Sequence, residues 1–340
     1  MKRFFICIVF FLLLQTTLLC QQRPYYSQYI MNNYLINPAI TGIENYTDVK
    51  LGYRNQWVGI PGAPVTSYLT IHGSLGKKDY RQTATSFDMK GENPRGKSYW
   101  EEYTAPAPHH GIGGSIINYR TGYINRYFVN LSYAYHIGLT PRMSLAAGFA
   151  AGFSSTTIDA SKIELANPVD PAIGNTIGTM KKLRPDLSAG LWLYSDRFFI
   201  GASAQQIIPQ RFNLVEHSYD KSTLIPHWFA TAGYRFFLSD EVSALPSVML
   251  RYIAEEPLFI DANIKLQYLD RVWLGGNVRF KEGFAVMAGV NVSSTFNISY
   301  AYDVNNSRYM LQSQQRGSHE IMIGFLLGNN YADLCPRNVW

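Results

Sequence analysis

From about residue 48 to residue 328, apolar and polar side chains alternate residue by residue, in segments of about ten residues. A period of two is the spacing of a β-strand, whose successive side chains point to opposite faces. Tyr127, Val129, Leu131, Tyr133, Tyr135 and Ile137 face one way, while Phe128, Asn130, Ser132, Ala134 and His136 face the other. In the segment from Ile260 to Tyr268, Asp261, Asn263, Lys265 and Gln267 alternate with Ile260, Ala262, Ile264, Leu266 and Tyr268. The last segment places Ile321, Ile323, Phe325 and Leu327 on one face and Gly324 on the other. After the leader, no segment is apolar enough for long enough to cross a bilayer as a helix. Burying the polar faces in lipid would cost on the order of several kcal/mol per charged group, so they must line a lumen. The pattern predicts an all-β protein: a transmembrane antiparallel β-barrel.

Strands are expected to start near Asp48, Val65, Gly111, Tyr127, Met143, Pro185, Phe198, Trp228, Ser243, Ile260, Val272, Gly283, Phe296 and Ser318, which makes about 14 strands. An even number returns both ends of the chain to the periplasm. Short turns near Pro141, Asp196, Asp240, Asp270 and Ser294 occur at every second junction, with longer links between them. Short periplasmic turns alternating with long outer loops are what such a barrel requires. The segment from Gly76 to His110 breaks that rule: it is long and polar, and parity places it on the periplasmic side. It reads as a periplasmic partner surface or as an insertion without structure of its own.

Composition agrees with a barrel and excludes other classes. Charged residues are 16% of the chain, below the roughly 25% of a soluble domain. The net charge of +6 is dispersed, with no basic run longer than Lys77-Lys78 or Lys181-Lys182, so nucleic-acid binding has no support. Lys2 and Arg3 precede an apolar run over residues 4–14, the pattern of a signal peptide with cleavage after Cys20. A lipidated Cys20 is the alternative, opposed by Leu19 where a small residue would be needed. Cys7 and Cys20 then leave with the signal, and Cys335 alone cannot form an intramolecular disulfide. The expected organisation is a signal peptide over 1–20, a plug-like leader over 21–47, the barrel over 48–328 and a short periplasmic tail over 329–340.

Candidate chemistry is sparse. Ser318-His319-Glu320 cannot form a triad by itself, because strand neighbours point to opposite faces. His109-His110 is a weak metal signal without further ligands at suitable spacing. No glycine-rich loop joins a strand to a helix. The expectation is no enzyme, no cofactor and no metal. The predicted lumenal charges Lys50, Arg54, Asp261, Lys265, Arg279 and Asp303 are mixed in sign. They suit an internally paired network or the lining for a plug as well as the selectivity ring of a diffusion porin, which is the alternative function.

Two further readings concern the ends of the chain. Asn37-Pro38-Ala39 punctuates the leader, so residues 25–35 are expected in or under the barrel. Tyr29, Asn37, Pro38, Arg54, His319 and Glu320 are the candidate lumen and plug residues. Between the first two strands, Trp57, Val58, Gly59, Ile60, Pro61, Gly62, Ala63 and Pro64 form a stiff outer loop, the candidate partner-binding surface.

The run from Pro24 to Gly42 (PYYSQYIMNNYLINPAITG), Tyr53 to Pro64 (YRNQWVGIPGAP), Gly317 to Gly324 (GSHEIMIG) and Cys335-Pro336-Arg337 together resemble the PorP/SprF family of the type IX secretion system. The resemblance extends from Gln21 to Trp340. It departs at Ile40-Thr41, where the family more often has an aromatic or small residue, and in the longer segment from Gly76 to His110. It implies a non-enzymatic cell outer-membrane protein that supports protein secretion or surface anchoring. The partners implied are cargo with a type IX C-terminal sorting domain, such as the large adhesins of gliding motility, and periplasmic or outer-membrane components of the same system.

Overall fold

The computed structural model describes residues 24–77, 105–159, 179–208, 210–211, 223–254, 256–269, 271–280, 282–293, 295–305 and 317–328. Fourteen antiparallel strands form the wall: β1 (Thr47–Asn55), β2 (Val65–Leu75), β3 (His109–Thr121), β4 (Ile124–Thr140), β5 (Met143–Asp159), β6 (Thr179–Ser195), β7 (Phe198–Gln205), β8 (His227–Tyr234), β9 (Val242–Ile253), β10 (Phe259–Tyr268), β11 (Val272–Arg279), β12 (Gly283–Asn291), β13 (Phe296–Asn305) and β14 (Ser318–Leu327). Each strand pairs with its sequence neighbours, and β1 closes the ring on β14 with Thr47 opposite Leu327 and Asn55 opposite His319. Closure leaves the sheet no edge. After Arg235, Phe236–Phe237 continues the course of β8 along β9. Every expected strand start falls inside an observed strand. β4, β5 and β6 are longer than the ten-residue period suggested, at 17 residues each.

The alternation read from the sequence is what folds this wall. On β4, Phe128, Asn130, Ser132, Ala134 and His136 are buried inside, whereas Leu131 keeps 72% of its surface on the outside. On β10, Asp261, Asn263, Lys265 and Gln267 are buried and Ile264 and Leu266 exposed. Outward Leu, Ile, Val, Phe and Tyr side chains make the apolar belt that meets lipid. Among the described residues no helix is long and apolar enough to cross a membrane; the strands do so.

Turns at one end are short: Pro141-Arg142 after β4, Asp196-Arg197 after β6, and residues 238–241, 269–271 and 292–295 after β8, β10 and β12. The other end carries the longer connections, with two exceptions. Gly122-Tyr123 joins β3 to β4, and residues 280–282 join β11 to β12. That first end, short-turned except for the connection from β2 to β3 over residues 76–108, is the periplasmic one. Most of the segment from Gly76 to His110, the expected signal peptide over 1–20 and the expected tail over 329–340 with Cys335 lie outside the described residues.

Candidate functional site

The core of the protein is its own leader. Residues 24–46 run up the lumen from the periplasmic foot of β1 and are almost entirely buried. Three single-turn 3-10 helices, Tyr29–Met31, Asn33–Leu35 and Pro38–Ile40, satisfy part of the backbone locally. Pro38 sits in the first turn of the last of these, where its missing N–H costs nothing, and the Asn37 side chain caps it by accepting from Ala39 N–H at 2.9 Å. The remaining polar groups reach the wall, as buried backbone requires.

In the outer half of the lumen the leader is held by charge. Arg54 pairs with Asp303 at 2.7 Å and Glu320 at 3.0 Å, and Arg279 pairs with Asp303 at 3.2 Å. Ser27 N–H donates to Glu320 Oε2 at 2.7 Å, and Arg279 Nη2 donates to Ser27 Oγ at 2.9 Å. Ser27 Oγ also contacts Asp303 and Arg54. Gln28 donates to the Glu320 carbonyl at 2.9 Å. Tyr25 donates to Asp261 at 2.7 Å while its ring lies 4.1 Å from the Arg279 guanidinium and 5.2 Å from that of Arg251. Three arginines thus face Asp261, Asp303 and Glu320, with Glu282 beside them, and the leader supplies hydrogen bonds that the ions lost with water.

Midway, Asn263 donates to the Tyr29 hydroxyl. Asn32 donates to Thr70 at 3.0 Å, and Tyr34 bonds Ser132 at 2.7 Å. Ser203 donates to the Ile36 carbonyl at 2.6 Å, and Asn37 Nδ2 donates to the Leu191 and Ala202 carbonyls at 3.0 and 3.3 Å.

At the periplasmic end shape joins charge: Lys77 donates to the Ile43 carbonyl and a buried Asp48–Lys50 pair stands beside the leader. His136 Nε2 bonds the Thr41 carbonyl at 2.9 Å, His109 Nε2 lies 3.2 Å from the Gly42 carbonyl, and Gly42 N–H donates to His72 Nδ1 at 3.3 Å. This peptide fits because glycines on the wall leave room. A Cβ on Gly111 would stand 1.9 Å from the Thr41 oxygen, and one on Gly148 would stand 2.6 Å from the Pro38 oxygen. Beside this seat, burial pushes the Glu44 carboxyl up to about 7, with Lys77 opposing and Asp48 adding to the rise.

The candidate lumen residues are therefore brought together except for one. Tyr29, Asn37, Pro38, Arg54 and Glu320 are buried inside. His319 is on the outer face, with the Tyr300 hydroxyl 2.6 Å from its Nδ1; a strand that turns Glu320 inward must turn its neighbour outward. The same rule separates His109, buried in the lumen, from His110, exposed and 2.7 Å from the Tyr133 hydroxyl. The candidate partner loop is rigid: Gln56 N–H donates to Pro64 O at 2.9 Å, Val58 N–H to Gly317 O at 2.9 Å and Gly122 N–H to Gly62 O at 2.8 Å. Trp57 takes a left-handed φ of 48°, as do Gly59 and Gly62 at 99° and 73°. Gly59, Pro61 and Gly62 are exposed, Trp57, Val58, Ile60 and Ala63 half-buried, and Pro64 buried. The histidine seat and the glycine hollows were not foreseen; the only signal for them was the number of glycines on inward positions.

The profile described as "Type IX secretion system membrane protein PorP/SprF" matches residues 19–325. No curated protein matches the chain. Solved structures similar to it include the outer membrane protein Omp33 of Acinetobacter baumannii, at 8% identity and TM-score 0.44, covering 84% of this chain and 100% of that one. The toluene transporter TbuX of Ralstonia pickettii is 10% identical with TM-score 0.48, covering 87% and 92%. A FadL homologue of Pseudomonas aeruginosa is 10% identical with TM-score 0.44, covering 85% and 91%.

Proposed function

The chain belongs to the PorP/SprF family of type IX secretion system membrane proteins, an outer-membrane β-barrel, and on that premise we propose that it works as a closed barrel that supports secretion or surface anchoring of a partner rather than as a conduit. The partner is a secreted protein with a type IX C-terminal sorting domain, a large gliding adhesin being one form. The surface that holds it is the rigid outer loop from Trp57 to Pro64. The periplasmic face, including residues 76–110 and 329–340, connects the barrel to the rest of the secretion machinery.

The observation that carries this reading is the leader. A barrel whose lumen is filled from Tyr25 to Gly42 by its own chain, bonded to the wall at both ends, offers surfaces to a partner and little passage to a solute. A diffusion porin requires the opposite arrangement, an open lumen with unpaired charges at a constriction.

The test is affinity purification of the tagged protein from outer membranes in mild detergent, with mass spectrometry of what accompanies it, beside a strain lacking the gene. Recovery of a sorting-domain protein, together with loss of that protein from the surface of the deletion strain, is the expected result. Normal secretion and display of every sorting-domain protein in the deletion strain would overturn it.

A further inference from the structure

The outward face of the barrel at its outer rim carries a polar row that neither the leader nor the wall uses. Antiparallel register places Asn55 opposite Val65, Val65 opposite Arg120, Arg120 opposite Asn125, Asn125 opposite Thr157, and Thr157 opposite Lys181. These residues follow one another across β1 to β6. They face away from the lumen, since their strand neighbours Arg54, Thr66, Thr156 and Ile158 are the buried ones. Directly opposed side chains share a face, with Cβ atoms about 5 Å apart.

Composition changes steeply down these strands. Two residues nearer the middle, the row reads Tyr53, Ser67, Asn118, Tyr127, Ser155 and Leu183. Two residues further on it reads Leu51, Leu69, Ile116, Val129, Phe153 and Pro185, with no polar side chain. On each strand the change from hydrocarbon to polar surface takes four residues, about 14 Å along the chain. Tyrosines stand at the crossing, as they do at a membrane interface. The polar row is therefore at headgroup level on the outer side of the bilayer.

Over this row lies a cleft of about 590 Å3, walled by the backbone of Gly59, Gly62 and Gly122 and by Asn55, Arg120 and Asn125. Thr157 lines it as well, and Lys181 borders it through its pairing with Thr157. Arg120 and Lys181 are both exposed, and neither has an ion-pair partner among the described residues. Asp159, also in the lining, has an interaction of its own. The two cations are three strand spacings apart, about 14 Å.

We propose that this cleft is a headgroup site for a phosphorylated glycolipid of the outer leaflet, with Arg120 and Lys181 each taking a phosphate and Asn125 and Thr157 between them bonding the sugar. Guanidinium and ammonium groups are the side chains that bind phosphate, and a basic pocket beside a lipid-facing surface is the usual form of a headgroup site. An acidic protein segment would satisfy the same charges but would have no use for the apolar rows immediately below, where the acyl chains of a lipid continue. The cleft shares Val58, Gly59, Ile60, Gly62 and Ala63 with the loop proposed to hold the partner, but lipid retention by the isolated protein is read without any partner.

The test uses the full-length protein, delipidated in detergent, and native mass spectrometry with three probes: lipid A carrying two phosphates, its monophosphorylated form, and inorganic phosphate. Retention is expected to fall in the order two phosphates, one phosphate, with millimolar inorganic phosphate failing to displace the lipid. Exchanging both cations (R120E with K181E) should weaken the bisphosphorylated lipid at least about tenfold, while Arg271→Glu at the opposite rim leaves it unchanged. Gel migration without heating reports whether each variant is folded. If the double variant does not fold, R120Q and K181Q are compared singly, each expected to weaken retention. Equal retention by wild type and variants overturns the site, as does displacement by inorganic phosphate or equal retention of a zwitterionic phospholipid. Selective capture of an acidic peptide in place of lipid A also overturns it.

Discussion

The leader is held by different physics at its two ends. In the outer half, buried charges in pairs and triplets surround Tyr25, Ser27 and Gln28, and each ion there was costly to desolvate. At the periplasmic end, the Thr41–Gly42 peptide is bonded by imidazoles and pressed against glycines, and only the next carbonyl, that of Ile43, is met by a charged group, Lys77. Removing one ion from a buried network is severe, because its partners stay behind uncompensated. Filling a glycine hollow is a smaller, local change. The first kind of contact ties the leader to the wall's own ion pairs, and the second fixes the position of its last turn.

Variants can break or sharpen that contrast. The largest effect is expected from Arg54→Ala, which strands Glu320 in a buried site, leaves Asp303 with Arg279 alone, and should destabilise the barrel by about 3–5 kcal/mol. Urea unfolding followed by gel migration would measure it. A loss under 1 kcal/mol would mean that the charges do not hold the leader.

Next comes Glu44, at the periplasmic seat. Its folded pKa is raised from 4.5 to about 7, so between those values the folded state keeps a proton that the unfolded state releases. Stability is unaffected by this group below about pH 4.5, falls as pH rises, and above pH 7 the deficit is about 3 kcal/mol. Glu44→Gln is expected to remove that slope, with a gain at pH 8 that vanishes near pH 4, read from the unfolding midpoint against pH.

A smaller effect follows from Gly111→Ala, whose methyl would meet the Thr41 oxygen at 1.9 Å and should cost about 1–3 kcal/mol. Hydrogen exchange at residues 38–44 should rise in this variant. It should stay unchanged in Gly276→Ala, where the added atom meets nothing nearer than 4.0 Å. The smallest change is Tyr34→Phe, which loses the bond to Ser132 and about 1 kcal/mol.

The same contrast separates what could be read in the sequence from what could not. The inward charges were legible at both ends because alternation assigns each charged residue to a face, which is why Lys50, Arg54, Asp261, Lys265, Arg279 and Asp303 were expected inside and are there. His319 was expected inside and is not; that reading did not carry through the alternation fixed by Glu320. The periplasmic seat was not legible, because Gly111 and Gly148 contribute only the absence of a side chain, and alternation has nothing to say about that. Asn37-Pro38 showed a turn in the leader but not the carbonyls of Leu191 and Ala202 to which Asn37 donates, over 150 residues away. The polar row at the rim was hidden for a similar reason. Arg120, Asn125 and Lys181 are unremarkable near turns, and only the register across four strands aligns them.

The central claim is that the leader closes the barrel, and single-channel conductance in planar bilayers tests it most directly. The wild-type protein is expected to be silent, and a variant lacking residues 24–46 to open a large conductance. A large, steady conductance from the wild type would contradict the account and make the barrel a porin.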